Sequence, residues 1–589
     1  MAYQLLVDIF LYFCNVKNKQ QMKTPNVTLA IILFFIASLM SSPAIAQNNR
    51  TGNRVFGSAK EEKKNDDKRP DVQKSSGGRS VRPTPAPAPP PMKGDMLSIR
   101  NPRPGGLKEL ITNDIKKRVR RLGIEGPINR DDASVIRSIC NRTSCVDDRG
   151  KSVDNYLDLD LSRATIEGSY SSQRDVAYDD MFYLTSHLRS VRLPMRLKGI
   201  GRHSFYGCSR LESVVLPYGV RYLGEGAFKG CNELEEIRLP ETIEEIGVEC
   251  FSGCKSLSRI ILPPSVTVIG KEAFLNCPIK DLQLPDGLKS LGKWSLEGTK
   301  LRSIYIPRDT HIEEDVLGSI NYLESIVVDG GNREYSSIDG VLFNHSQTKL
   351  LKIPATFQGE YAIPNSVTTI APYAFQNCSL SSVRIPMSVT SIGEGAFLNC
   401  MNVVSFEIPN SVTVIASKVF SGCKSLRNVF LPDNVQSIGS LAFSNCIVLT
   451  RIQLPSRLLS LGKETFRSCQ SLTQILIPES ITTIPAQCFI GCKSLTMISL
   501  PSRLQSIDDE AFKECSSIQE ITIPASVVSI GKKPFSKCNQ LQRVICENTI
   551  PPSFKSKGGE KITLVVPAGS KNAYQKASQW KKFKSIVEK

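Results

Sequence analysis

The sequence predicts a mainly β solenoid, a right-handed stack of about fourteen repeats of 22–23 residues whose short strands run parallel. A small α/β unit is expected to close the stack at its N-terminal end and a strand–helix unit at its C-terminal end. Two observations carry this reading. Prolines recur in register, from Pro194 to Pro307 and again from Pro364 to Pro524, at steps of 22 or 23 residues. Around each proline one apolar pattern returns, Leu-x-x-Ile-x-Leu-Pro-x-x-Val-x-x-Ile-Gly-x-x-Ala-Phe-x-x-Cys, as from Leu257 to Cys277. Self-similarity at such a period is the signature of a repeat array.

The chain start reads as an export signal over residues 1–46. Met22 is the expected start, Lys23 the positive flank, Val27 to Met40 the apolar core, and Ala44-Ile45-Ala46 the small residues before cleavage. That run is short for the roughly 20 residues of a membrane helix, so the expected product is exported and has no membrane span after cleavage. Residues 47–96 are rich in Lys, Asp, Ser and Gly and end in a proline run up to Pro91, a disordered, basic, semi-rigid linker by composition.

The formal charge of +18 is unevenly placed. Residues 1–46 supply +2, residues 47–130 supply +11 and residues 555–589 supply +7, while residues 131–554 sum to −2. Basic ends on a nearly neutral body argue for weak contacts with anionic surfaces, and no nucleic-acid partner is expected.

Residues 97–187 are expected to form the N-terminal α/β cap. Leu107 to Val119 has helical spacing, Val119 to Ile124 reads as a strand, and Asp131-Asp132-Ala133 opens a helix with an Asp cap. Tyr156 to Leu161 alternates apolar and polar residues, as a half-buried strand does. The array is expected over residues 188–546. In its unit, Ile260 and Leu262 face inward and Ile261 outward, Pro263 ends the strand, and Gly270 permits a tight corner. The spacing jumps between Pro307 and Pro364, where Ser337 to Phe343 and Lys349 to Ile353 flank Asn344 to Thr348 as a hairpin insertion near residues 329–363. Residues 547–589 complete the prediction as a C-terminal cap, with a strand from Ile562 to Val566 and a helix from Lys571 to Phe583.

The eighteen cysteines do not form a metal pattern. Twelve occupy one repeat position, from Cys208 to Cys538, with Thr299 standing in where Cys is missing; Cys250 and Cys488 replace the small residue before Phe, and Cys546 a strand residue. Such residues serve as small core hydrophobes, and their ladder is expected to remain reduced. Cys140 and Cys145, outside the array, are the pair able to form a disulfide. The four histidines are scattered, and no His-Glu-x-x-His or Gly-x-Ser-x-Gly motif occurs. No catalytic residue, metal or cofactor is expected, and the chain reads as a non-enzyme.

The repeat unit, the Ser337-Ile-Asp-Gly-Val-Leu-Phe343 hairpin and the Val566-Pro567…Tyr574…Trp580 end piece resemble the BspA-like leucine-rich repeats of bacterial surface proteins, over about residues 188–589. The resemblance implies a secreted, periplasmic or cell-surface leucine-rich-repeat protein that recognises proteins extracellularly, as adhesins for host matrix or plasma proteins do. It supplies no shared ligand-binding residue. The site expected from strand alternation is the outward row Val215, Arg238, Ile261, Tyr305, Val327, Arg384, Phe430 and Leu476. Seven of the fourteen positions in this row are apolar or aromatic, more than a solvated face needs. A spacer or assembly role in the cell envelope is the alternative reading.

Overall fold

The computed structural model describes residues 96–167, 176–313, 315–556 and 561–589. The expected signal region, its cleavage point and all of the linker except Met96 lie outside the described residues. Among the described residues no helix is long and apolar enough to cross a membrane.

The coil built on Arg259–Ile261 shows how one repeat works. Ile260 and Leu262 are buried while Arg259 and Ile261 face outward, the alternation a pleated strand imposes. The strand pairs in parallel with Glu236–Arg238, Ile237 against Ile260. Pro263 ends it, and its carbonyl accepts the Val266 N–H at 3.1 Å to close the turn. A second short strand, Val268–Ile269, pairs with Glu245–Ile246 on one side and Ser290–Leu291 on the other. Gly270 serves close approach, not the expected tight corner: a Cβ there would lie 2.6 Å from the Val248 nitrogen. The third side contains two left-handed residues that are not glycine, Glu272 at φ 56° and Asn276 at φ 59°. Their strain is offset by inter-coil bonds, from Glu272 N–H to the Lys293 carbonyl (2.9 Å) and from Asn276 N–H to the Glu297 carbonyl (2.8 Å).

Both ends continue the ladder instead of merely covering it. Leu97–Arg100, Arg121–Ile128 and Leu157–Asp160 lie side by side in parallel and join Leu188–Arg192, with Leu122 against Leu159 and Leu159 against Val191. At the other end Arg543–Cys546, Thr563–Val566 and Ser585–Glu588 do the same. The stack therefore runs to about 21 coils, beyond the fourteen that carry the proline. The last strand was not expected. The expected final helix is a short one, Lys571–Lys576, followed by the 3-10 turn Trp580–Lys582.

Several local expectations shift. The helical spacing from Leu107 to Val119 gives two helices, Leu107–Leu110 and Asn113–Arg118, the second capped by Thr112. The helix Arg130–Cys140 is capped by Asn129 and not by an aspartate; buried Asp132 completes the capping box from the N3 position. The second-strand ladder begins with Val176–Ala177, and Phe182 stacks on Phe205 at 5.2 Å, so periodic structure starts ahead of residue 188. Ser337 to Phe343 is not one strand. A turn at Asp339 (φ 50°) and Gly340 (φ 78°) splits it into Tyr335–Ile338 and Val341–Asn344, which pair antiparallel. Asp-Gly favours such a turn because both residues tolerate positive φ. Val341–Asn344 then pairs antiparallel with Lys349–Lys352, which returns to parallel pairing with Thr369–Ile370.

The core is two ladders that meet at this insertion. Phe205, Phe228, Phe251 and Phe274 stack with centroids 5.1–5.6 Å apart. Leu296 and Leu317 then stand where rings would be, both buried. Stacking resumes from Phe397 through Phe420, Phe443, Phe466 and Phe489 to Phe512 at 5.4–5.7 Å.

Candidate functional site

The outward row of the strands is where alternation places it. Ile261, Phe430 and Leu476 are 68, 64 and 69 % exposed. Tyr305 and Val327 are exposed and directly paired, Arg238 lies against Ile261, and Phe430 lies against Glu407. Arg384 is exposed and pairs with Ala362 at the edge of the insertion, whereas Val215, paired with Arg192, is only partly exposed. Strand spacing of about 4.8 Å puts consecutive side chains of the row in reach of one partner surface. The Tyr305 hydroxyl donates to Asp329 at 2.6 Å, which pushes the phenol pKa up and holds the Asp329 carboxyl down.

The thiols are structural. All seventeen cysteines of the described residues are free and buried. Cys140 and Cys145, the pair able to form a disulfide, are both free in the structure. Cys140 is fully buried at the end of the helix Arg130–Cys140, whereas Cys145 opens a separate short strand and its thiol points to the Arg118 carbonyl at 3.7 Å. At the repeated cysteine position, eleven of the twelve thiols donate to the carbonyl of a Phe in the preceding coil, as Cys254 does to Phe228 at 3.1 Å, Cys446 to Phe420 at 3.2 Å and Cys515 to Phe489 at 3.1 Å. Cys378, next to the insertion, points instead to the Pro354 carbonyl at 3.6 Å. Thr299 instead turns its hydroxyl to its own coil, onto the Leu296 carbonyl at 2.7 Å. Burial pushes the thiols of Cys423 and Cys469 up to about 12. Among the described residues no group of three or more His, Cys, Asp or Glu is placed to hold a metal ion.

Sequence reasoning missed a second site. A cleft of about 620 Å³ opens where the two ladders meet, between the coil containing Trp294, residues 311–313 and 315–318, the hairpin, and Ala371 to Gln376. Lys352 braces it, its ammonium donating to the carbonyls of Gly318 (2.8 Å) and Tyr373 (3.2 Å), one on each side of the insertion. Burial lowers its pKa. Glu297 is half-buried, and its carboxylate makes no hydrogen bond with the described residues. Loss of water raises its carboxyl pKa, with Asp315 and Glu272 adding to the rise and Lys352 opposing it. Asp315 pairs with Lys293 at 3.5 Å, and the Lys293 ammonium lies 4.5 Å over the Trp294 ring. The sequence held a faint signal of this site, since the proline spacing breaks here and Leu replaces Phe, but no motif.

The family of the BspA type leucine rich repeat region matches residues 176–293, 249–362, 358–473 and 459–556. The chain belongs to the BspA-type leucine-rich repeat family. Among solved structures it is similar to a leucine-rich repeat protein of Eubacterium ventriosum, at 24 % identity over 58 % of this chain and 83 % of that one, with a TM-score of 0.45. It is also similar to a leucine rich cell surface protein of Faecalibacterium prausnitzii, at 26 % identity over 64 % and 82 %, with a TM-score of 0.42. The pneumococcal vaccine antigen PcpA is similar at 17 % identity over 79 % and 89 %, with a TM-score of 0.30. Curated proteins yield no match. The family match alone carries the assignment, and the BspA-type array it covers contains both the strand row and the cleft.

Proposed function

We propose that this BspA-type protein is an exported, non-catalytic recognition module of the cell surface that binds another protein, adhesin-like, through its outward strand row. The observation that carries the reading is the exposure of large apolar side chains along that row, with Ile261, Phe430 and Leu476 each about two-thirds open to solvent. Apolar and aromatic groups interleaved with Arg238 and Arg384 have the composition of a protein-contact surface. Export is supported by the apolar and small-residue pattern before Gln47. A polypeptide of the host matrix or of the envelope is the class of partner that fits.

The test is a pull-down of the mature chain from host matrix proteins and from envelope extract, repeated with Tyr305→Ala, Arg384→Ala and Phe430→Ala combined. Capture should fall sharply with the triple variant, because rings and guanidinium groups dominate interface energies. Stability should hardly move, since exposed substitutions shift it by roughly half a kcal/mol each. Capture that survives the triple variant but disappears with added salt assigns binding to the basic ends and sinks the strand-row reading, since exposed charges are screened beyond about 8 Å.

A further inference from the structure

We propose that the cleft at the insertion is a second binding site, for a neutral oligosaccharide. The argument starts from charge. One wall carries Glu297, Glu313 and Asp315, and the opposing hairpin wall carries Lys349 and Lys352. A net cation would meet the lysines and a net anion the carboxylates, so neither is favoured. A hydroxyl group both donates and accepts, and a chain of them suits a cleft with acceptors on one side and donors on the other.

The remaining surface agrees. Trp294, Tyr335 and Tyr373 line the cleft together with Leu351, giving rings and an apolar patch for the C–H faces of a pyranose. The volume of about 620 Å³ is that of a small-ligand pocket. Glu297 sharpens the case. A half-buried carboxylate without a hydrogen-bond donor among the described residues is costly, and a sugar hydroxyl supplies the missing donor through a charge-assisted bond. Lys352 is committed to two backbone carbonyls, so it sets the width of the cleft while Lys349 is left to meet the ligand.

The full chain contains two tryptophans, Trp294 in the cleft and Trp580 buried near the C-terminus, so intrinsic fluorescence reports the site. Cellotetraose, maltotetraose and the N-acetylglucosamine tetramer are titrated in turn, with Trp294→Phe fixing the Trp580 background. At least one should give a saturable change that Glu297→Gln weakens about fivefold, as loss of charge assistance does. Tyr373→Ala, which strips a ring from the wall, should weaken it about tenfold. The proposal is overturned if none of the three tetrasaccharides acts at millimolar concentration, or if N-acetylarginine amide or inorganic phosphate acts at lower concentration than all of them. A response unchanged in both Glu297→Gln and Tyr373→Ala also overturns it. The triple strand-row variant should titrate like the parent, so this site and the strand row can fail separately.

Discussion

The coils from Phe397 to Phe512 and the junction from Trp294 to Tyr373 are built from one repeat pattern and have opposite character. In the first, every coil contributes a stacked ring, a buried thiol bonded to a Phe carbonyl, and backbone bonds to its neighbours. At the junction the rings become Leu296 and Leu317, no cysteine occurs between Cys277 and Cys378, and Lys352 joins the two edges through their carbonyls. Where the ladder is regular, side chains are consumed by packing. Where it breaks, charged groups are stranded beside open volume, and chemistry becomes available.

Alkali should separate the two regions most strongly. Burial holds the thiols of Cys423, Cys469 and Cys538 at about 12, whereas an unfolded thiol ionises near pH 8.5. A raised acid pKa gives stability that is complete below the unfolded value and lost as pH climbs toward the folded one, by up to about 1.4 kcal/mol per thiol per pH unit. The melting temperature should therefore drop steeply above about pH 9, and hydrogen exchange should rise first in the thiol-bearing coils on both sides of residues 278–377, since Cys231, Cys250 and Cys277 are raised by burial as the later thiols are. A flat melting temperature across that range would falsify the buried-thiol ladder.

Ring deletion comes next. Phe420→Ala removes a buried ring flanked by Phe397 and Phe443 and should lose roughly 3–5 kcal/mol in chemical denaturation. Leu317→Ala, beside the cleft, should lose less, roughly 2–3 kcal/mol, because fewer atoms leave and open volume already lies nearby. The reverse order would break the comparison.

Lys352→Met tests the brace. It removes a desolvated charge but leaves the Gly318 and Tyr373 carbonyls without that donor, a net loss of roughly 1–3 kcal/mol. The accompanying rise in hydrogen exchange should be confined to residues 311–376; a rise spread evenly over the array would mean that Lys352 is not a local staple. The smallest effect is expected for Cys446→Ala. The Phe420 carbonyl loses the thiol yet keeps the Cys423 N–H at 3.2 Å, so about 1 kcal/mol is expected from thermal melts of the reduced protein.

The sequence by itself determined the solenoid, the parallel register, the outward row and the buried ladder of cysteines, because each follows from a period repeated many times over. Ile260 inward and Ile261 outward required only strand alternation, and the outward row was legible for the same reason. Tertiary structure alone decided the rest. The ends continue the ladder because Leu97–Arg100 and Ser585–Glu588 can pair edge to edge, which no proline announces. Left-handed Glu272 and Asn276 are tolerated because neighbouring coils bond their backbones, a contact between residues more than twenty apart. The cleft arises because one irregular stretch brings Trp294 and Glu297, Asp315, Lys352 and Tyr373 together from four separate segments. Periodicity encodes what is repeated; a site made once, at the place where the period fails, is specified only by the packing around it.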